Sequence, residues 1–229
     1  MPEETPRTIN HFALYAWKDA YWALKSEARA GLHAEWLHAL RASAPKIDIY
    51  QVFPAESRGD LLVWSAAPIV AQCDSASFFE QLARATNSFR AYLEATDVLW
   101  GYTRPSQYTK TRSNQEIDPF SEQRKTYLVM YPFVKTTSWY LMGREARQGM
   151  MNEHIRIGKQ YEDISQLLLY SFGVQNQEFV VVYEMDDPTR FSDLVNELRS
   201  AEGRRYTERD TPLHMAIYHR PEETLALWE

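Results

Sequence analysis

Glu145-Ala-Arg-Gln-Gly-Met-Met-Asn-Glu-His154 is a second copy of Glu27-Ala-Arg-Ala-Gly-Leu-His-Ala-Glu-Trp36, and the two stretches align without a gap. Each copy follows an apolar, strand-like segment that contains Tyr15 in the first copy and Tyr131 in the second. Such a repeat indicates a duplicated supersecondary unit. The copies differ at their last position, where histidine replaces tryptophan. Because tryptophan packs whereas histidine can also ligate a metal, His154 is a candidate metal or cofactor ligand in one half of a pseudo-symmetric protein.

The composition indicates a globular protein with a substantial core. Hydrophobic residues make up 45% of the 229 residues, and no stretch approaches the roughly 18 consecutive apolar residues that predict a membrane span. The net charge of −6 argues against nucleic acid as a partner. The single cysteine, Cys73, excludes intrachain disulfides and a cysteine-based zinc site. The polar N-terminus has no apolar signal region, so we expect a cytoplasmic protein without a membrane partner.

Hydrophobic periodicity predicts the order β-α-β-β-α-β in each half. The predicted strands are 11–17, 47–53, 60–66 and 98–103, then 127–133, 167–172, 178–184 and 213–218. The predicted helices are 20–42, 74 to about 94, 143–158 and 187–198. We therefore predict an α+β fold of two tandem ferredoxin-like repeats, 1–113 and 114–229. Their two sheets would lie face to face as a dimeric α+β barrel with the helices outside.

A polar stretch, 104–119, joins the halves and allows two interpretations. It is either an exposed linker or a loop whose Arg104, Lys110 and Arg112 meet an anionic ligand.

The histidines do not form a multi-histidine metal motif. None of the six has the HExxH spacing, and His33 and His38 are five residues apart, outside the i, i+4 geometry. A single axial histidine needs no partner at a fixed spacing, because a haem supplies four nitrogens itself.

Motifs in residues 126–220 carry a specific resemblance. They are Tyr131-Pro-x-x-Lys135, Trp139-Tyr-x-Met142, His154, Tyr161, and Gln166 seven residues before Gly173. This pattern resembles the chlorite dismutase-like superfamily and, within it, the coproheme decarboxylases of haem biosynthesis. The first half is similar to the haem-free repeat of that family. The resemblance implies a dimeric α+β barrel, haem in the second half, and a ring-shaped homo-oligomer, usually a pentamer.

The resemblance also implies residue roles. His154 matches the proximal iron ligand, Tyr131 the tyrosine that forms a radical beside a propionate, and Lys135 the lysine next to that propionate. Gln166 falls where chlorite dismutases have a distal arginine and many decarboxylases a glutamine. A neutral glutamine cannot supply the charge that helps to hold chlorite over iron.

One departure concerns the propionate contacts. The decarboxylases have a propionate-binding arginine at a position that corresponds to 116–119, where this chain has none. Either Arg104 or Arg112 takes its place, or the propionates are held in a different way. Glu202 is a further candidate, as acceptor of the His154 Nδ1 proton.

The implied reaction is the hydrogen peroxide-dependent oxidative decarboxylation of iron coproporphyrin III (coproheme) to haem b. Chlorite dismutase or haem peroxidase activity on the same fold is the first alternative. A non-enzymatic haem-binding protein is the second.

Overall fold

The computed structural model describes residues 7–108 and 113–229, with strands and helices in both halves of the chain. The strands are β1 (Arg7–Trp17), β2 (Lys46–Gln51), β3 (Leu61–Ile69), β4 (Leu93–Tyr102), β5 (Tyr127–Lys135), β6 (Ser165–Tyr170), β7 (Phe179–Met185), β8 (Thr207–Arg209) and β9 (His214–Tyr218). The helices are α1 (Asp19–Trp22), α2 (Ser26–Ser43), α3 (Asp74–Asn87), α4 (Thr137–Leu141), α5 (Arg144–Gly158), α6 (Pro188–Ser200) and α7 (Pro221–Ala226). A 3₁₀ helix, Glu202–Tyr206, follows α6. Within these two ranges, no helix combines the length and the hydropathy needed to cross a bilayer.

The first of two compact units comprises residues 7–103, 119–122 and 215–229. Its strands lie in the order β4-β1-β3-β2-β9, and every neighbouring pair is antiparallel. Helices α2 and α3 contribute buried side chains to one core with the inward residues of β1 and β3. Trp36 of α2 is fully buried in that core. Burying such large aromatic side chains is the main stabilising contribution that this unit can draw on.

The second unit comprises residues 104–108, 113–118 and 123–214. Its strands β6-β7-β5-β8 are neighbours in that order, again all antiparallel. Helix α6 begins with the Asp187 side chain accepting from the Thr189 N–H and with Pro188 in the first turn. Both features are strong helix-start signals. The structure thus has the predicted α+β class with antiparallel strands, and the order β-α-β-β-α-β occurs in both halves.

Two predicted helices were wrong in extent. The helix predicted over 20–42 is interrupted between α1 and α2. At the break, the Arg29 guanidinium donates hydrogen bonds to the carbonyls of Trp22 and Leu24. Helix α3 ends at Asn87 rather than near residue 94, because Leu93 already belongs to β4 and is buried opposite Trp17. Strand β8 and helix α7 were not predicted, since each is too short for a periodic pattern.

Candidate functional site

Strand register places Tyr131 and Gln166 on one face of the second unit's sheet. Tyr131 of β5 lies opposite Val181 of β7, and Gln166 of β6 lies opposite Tyr183 of the same strand. Directly paired residues point to the same face, and so do alternate residues along a strand. Tyr131, Val181, Tyr183 and Gln166 therefore share a face, although 35 positions separate the first from the last.

The Tyr131 phenol is hydrogen-bonded to the Tyr183 phenol, and the two rings stack with centroids 6.2 Å apart. Burial, followed by the contact with Tyr183, raises the pKa of Tyr131 well above its usual value. Tyr183 is itself buried against Phe191 of α6, with ring centroids 5.0 Å apart. Tyr131 therefore keeps its O–H at neutral pH and is held in one orientation between sheet and helix.

Lys135, at the end of β5, has its ammonium in an unusual environment for a lysine. Its Nζ donates to the Gly203 carbonyl at 3.1 Å and lies 4.3 Å from the centroid of the Trp139 ring. Burial, and then the positive charge of Arg204, lower the pKa of Lys135 to about 8. Glu178, whose carboxylate accepts the Lys135 backbone N–H at 2.8 Å, opposes this shift. A bound carboxylate would therefore meet a cation that is partly desolvated already.

His154 lies in the last two turns of α5 and is half-buried. Burial, and then the charge of Lys135, lower the pKa of His154. The imidazole is therefore neutral at physiological pH, which is the form that ligates a metal. Glu202 does not take the predicted role of its acceptor: its carboxylate pairs with Arg205 at 3.4 Å, and its backbone N–H donates to Glu153.

Gln166 projects from β6 as an exposed side chain. The polar stretch 104–119 fixes its backbone. The Gln166 N–H donates to the Gln115 carbonyl at 2.7 Å, and the Gln166 carbonyl accepts from the Ile117 N–H at 3.0 Å. The next residue along the same face, Leu168, is 42% exposed. Both of these side chains are therefore uncharged and accessible.

The two arginines predicted to meet an anion have different outcomes. The Arg104 guanidinium lies 5.6 Å from the centroid of Tyr170, which is on the same strand face as Gln166 and Leu168. The structure thus brings Arg104 to the candidate site. Arg112, like Lys110, lies outside the described residues.

Three further arginines lie near this site, and sequence reasoning did not identify them. Arg147 is seven residues before His154 on α5, hence two turns away on the same helix face, and its Nε is buried without a hydrogen-bond partner. Arg199 and Arg204 both pair with Asp210, at 2.8 and 2.5 Å. Arg147 was detectable as the arginine of the repeated E-A-R motif. No local sequence pattern predicts that Arg199 and Arg204 both pair with Asp210.

The chemistry of this face fits a flat, apolar, anionic ligand with its own metal. Several apolar side chains of the second unit are exposed, among them Leu141 (82%), Phe172 (46%), Val174 (47%) and Leu168. Exposed apolar side chains mark a ligand or partner site where they form a contiguous patch. The unpaired Nε of Arg147 and the Lys135 ammonium supply cations for carboxylates. A neutral His154 supplies one metal ligand, and an iron porphyrin requires no more than that from a protein on one face.

Comparisons with known proteins show which sequences and structures this chain is similar to. A family model described as chlorite dismutase matches residues 25–218. A coproheme decarboxylase of Mycolicibacterium smegmatis is 27% identical over 169 residues, which cover 72% of this chain and 69% of the relative. A coproheme decarboxylase of Staphylococcus saprophyticus is 29% identical over 153 residues, covering 62% of this chain and 61% of the relative.

A solved structure shows the same fold. The crystal structure of a mutant chlorite dismutase from Candidatus Nitrospira defluvii has a TM-score of 0.84 at 18% identity, covering 96% of this chain and 95% of that chain. At this identity the likeness concerns the fold alone. The family model, by contrast, matches residues 25–218, a range that contains the motifs around His154. The prediction made from those motifs is thereby confirmed, and the chain belongs to the chlorite dismutase family.

Proposed function

We propose that this protein catalyses the hydrogen peroxide-dependent oxidative decarboxylation of iron coproporphyrin III to haem b. The observation that carries the proposal is the placement of Tyr131 and Lys135 on the sheet side of the second unit, with the neutral His154 beside Lys135 on α5. The names of the two curated relatives support the same substrate. The iron porphyrin is both the substrate and the source of the redox chemistry when it is bound.

His154 would hold the iron from one side. Its neutral ring could donate a lone pair from one nitrogen, and helix α5 would hold that ring in place. The uncharged Gln166, exposed on β6, would leave room for hydrogen peroxide. A peroxide-dependent reaction needs no cation there, whereas holding an anionic oxidant such as chlorite would benefit from one.

Tyr131 would remove the hydrogen that starts the decarboxylation. Its buried phenol keeps the O–H, and its hydrogen bond to Tyr183 offers a path for the proton when the ring is oxidised. The resulting radical would take a hydrogen atom from the β-carbon of a propionate. For each propionate, one peroxide and one proton are consumed, and one vinyl group, one carbon dioxide and two waters are formed.

Cationic residues would hold the propionates at the edge of the porphyrin. Lys135 lies on the same side of β5 as Tyr131, as its 5.1 Å contact with the Phe133 ring shows. The propionate that reacts would therefore lie between Lys135 and Tyr131. Arg147 and Arg104 would contact others, and Arg112 remains a prediction for this role. Guanidinium groups pair with carboxylates through two parallel hydrogen bonds, which also fixes the orientation of the substrate.

The finer architecture belongs to the same proposal. We infer tandem ferredoxin-like repeats, 1–113 without haem and 114–229 with haem, as a dimeric α+β barrel. A homopentamer follows from the family resemblance, and a cytoplasmic location from the polar N-terminus; both stay predictions.

The direct experiment is to add iron coproporphyrin III and then hydrogen peroxide to the purified protein and follow product masses. We expect two successive losses, each of one carbon dioxide and two hydrogens, ending at haem b. If the protein binds the porphyrin fully but the mass of the substrate does not change, the protein binds haem without catalysing this reaction.

Chlorite provides the test of the alternative enzyme. Because Gln166 is neutral, we expect negligible oxygen release from chlorite by the haem-loaded protein. Rapid and sustained oxygen release would instead assign the protein to chlorite dismutation.

A further inference from the structure

The 3₁₀ helix after α6 lies against the end of β5, beside the ammonium group of Lys135. The Lys135 Nζ donates to the Gly203 carbonyl of this helix at 3.1 Å. Strand β8 follows the helix directly and pairs with β5, with Thr207 opposite Lys135. These two contacts on either side of Arg204 hold that residue near the Lys135 charge. The proposed function assigns no role to Arg204.

Lys135 and Arg204 place two positive charges close together at this edge of the second unit. The charge of Arg204 lowers the pKa of Lys135, which is the effect of like charges that approach each other. With a pKa of about 8, Lys135 is still mainly protonated at neutral pH, and an arginine keeps its charge throughout this range. The Arg204 side chain is 35% exposed, and Lys135 is half-buried. A ligand from solvent can therefore reach both side chains.

The neighbouring carboxylates do not balance these positive charges. Asp210 pairs with Arg204 at 2.5 Å, but it also pairs with Arg199 at 2.8 Å. Glu178 raises the pKa of Lys135, and its carboxylate already accepts the Lys135 backbone N–H at 2.8 Å. Within this group of five described residues, three cations face two carboxylates. One more carboxylate, supplied by a ligand, would remove the excess positive charge.

We propose that Arg204 is a specificity-determining residue that makes the protein prefer its substrate to its product. The inference rests on the proposed function, which supplies the identity of both. A propionate of iron coproporphyrin III would contact Lys135 and Arg204 together and offset the repulsion between them. Once that propionate has become a neutral vinyl group, the two cations lose their shared anion. An unpaired charge that only one of two ligands leaves behind is a source of specificity, so haem b should bind more weakly and leave.

The test compares two affinities of the full-length protein in the absence of peroxide. Iron coproporphyrin III and haem b are titrated separately, and the Soret band is followed. The wild type should prefer iron coproporphyrin III by at least about tenfold, and Arg204→Gln should reduce this preference by about tenfold, mainly through weaker binding of the substrate. Arg204→Lys keeps the charge and should keep most of the preference. The same preference in Arg204→Gln as in the wild type would overturn the proposal.

Arg205 provides the matched control, because it is the adjacent residue and carries the same charge. Its side chain is 76% exposed and pairs with Glu202 at 3.4 Å. Arg205→Gln should therefore keep the wild-type preference. An equal reduction in Arg205→Gln would mean that the preference depends on net charge alone, and it would contradict the role of Arg204.

Asp210→Asn gives a second test with the opposite sign. It removes a carboxylate from beside Arg204 and should raise the preference for iron coproporphyrin III by about threefold to tenfold. A damaged fold would not produce a stronger preference for one porphyrin, so this result would separate a charge effect from a structural one. A reduced preference in Asp210→Asn would count against the proposal.

The titrations can be interpreted separately from the decarboxylation experiment, because they contain no peroxide. If the reaction fails but the preference depends on Arg204, the proposed function is wrong, and Arg204 still distinguishes a porphyrin with four carboxylates from one with two. If the reaction proceeds but the preference does not depend on Arg204, the present inference alone is wrong.

Discussion

The two copies of the repeated motif end in Trp36 and His154, and their environments differ in a way that explains the difference in sequence. Trp36 is fully buried, meets Tyr15 edge to face at 5.5 Å, and lies 5.9 Å from Trp17. His154 is half-buried, and its charged neighbours include Lys135 and Glu153. In the first unit the space beside the helix is occupied by tryptophan. In the second, the corresponding side chain is smaller, polar and only half-buried.

The arginines of the two copies show the same contrast. Arg29 donates to the carbonyls of Trp22 and Leu24, at 2.7 and 3.2 Å, so it serves the local fold. Arg147 has a buried Nε with no partner. The lesson is that a duplicated framework can keep the same residue in two different environments. One copy uses it to bond local carbonyls, and in the other we propose that it meets an anion.

The largest expected difference between the two copies is the effect of a tyrosine-to-phenylalanine substitution on the rate of decarboxylation. Tyr131→Phe removes the O–H that we propose is oxidised, while the ring and its packing remain. We expect intact binding of iron coproporphyrin III and at least about thousandfold slower decarboxylation, a loss of about 4 kcal/mol confined to the chemical step. Tyr15→Phe is the matched control and should keep wild-type turnover. Wild-type rates in Tyr131→Phe, measured by product mass, would return Tyr131 to the role of a core aromatic.

Replacing the last residue of each copy by alanine should lower the free energy of unfolding much more in the first copy than in the second. Trp36→Ala leaves a cavity in the core and should lower the free energy of unfolding by about 3–5 kcal/mol. His154→Ala in the protein without porphyrin should change it by less than about 1 kcal/mol, because His154 is only half-buried. Urea unfolding of both variants measures these values. Equal losses would mean that the second copy is packed like the first.

Lys135 and its counterpart Lys18 should differ in the pH dependence of substrate binding. Lys135, with a pKa of about 8, is charged below that pH and loses its charge above it. The affinity for iron coproporphyrin III should therefore be constant below pH 8 and fall by up to about tenfold per pH unit above it. Lys135→Met should remove this dependence. Lys18 is exposed, so Lys18→Met should keep it, and a loss of the dependence in both variants would contradict the assignment.

The smallest expected effect concerns the two arginines. Arg147→Gln removes a cation near the site and should weaken substrate binding by about threefold to tenfold, with little change in stability. Arg29→Gln should have the reverse pattern, because it removes hydrogen bonds to the carbonyls between α1 and α2. Titration with iron coproporphyrin III and thermal unfolding separate the two. A binding defect in Arg29→Gln, with normal binding in Arg147→Gln, would contradict both assignments.

The sequence predicted those features that depend on local patterns. The gapless repeat identified His154 and the position of α5, and alternation along β5 predicted the strand that carries Tyr131. Other features depend on register and on distant contacts. The pairing of Gln166 with Tyr183, which brings Gln166 to the face of Tyr131, follows from a strand register that no spacing encodes. The Tyr131–Tyr183 hydrogen bond has the same origin.

Burial also separates what was predictable from what was not. The low pKa of Lys135 arises from its burial and from Arg204, which lies 69 residues away in a 3₁₀ helix that the periodicity did not predict. Helix α2 was predicted with its start misplaced, because the break after Trp22 depends on two hydrogen bonds from Arg29 rather than on proline or glycine. Local propensity is overridden in both places by contacts made in the folded chain.

The most direct test of the central claim, that the second copy of the motif binds iron and the first does not, is the absorption spectrum of the protein with iron coproporphyrin III. Wild type and Trp36→Phe should show the same shifted Soret band and the same affinity. His154→Ala should lose the shift or bind at least about hundredfold more weakly, with partial recovery on adding imidazole. An unchanged ferric spectrum and affinity in His154→Ala would contradict the account.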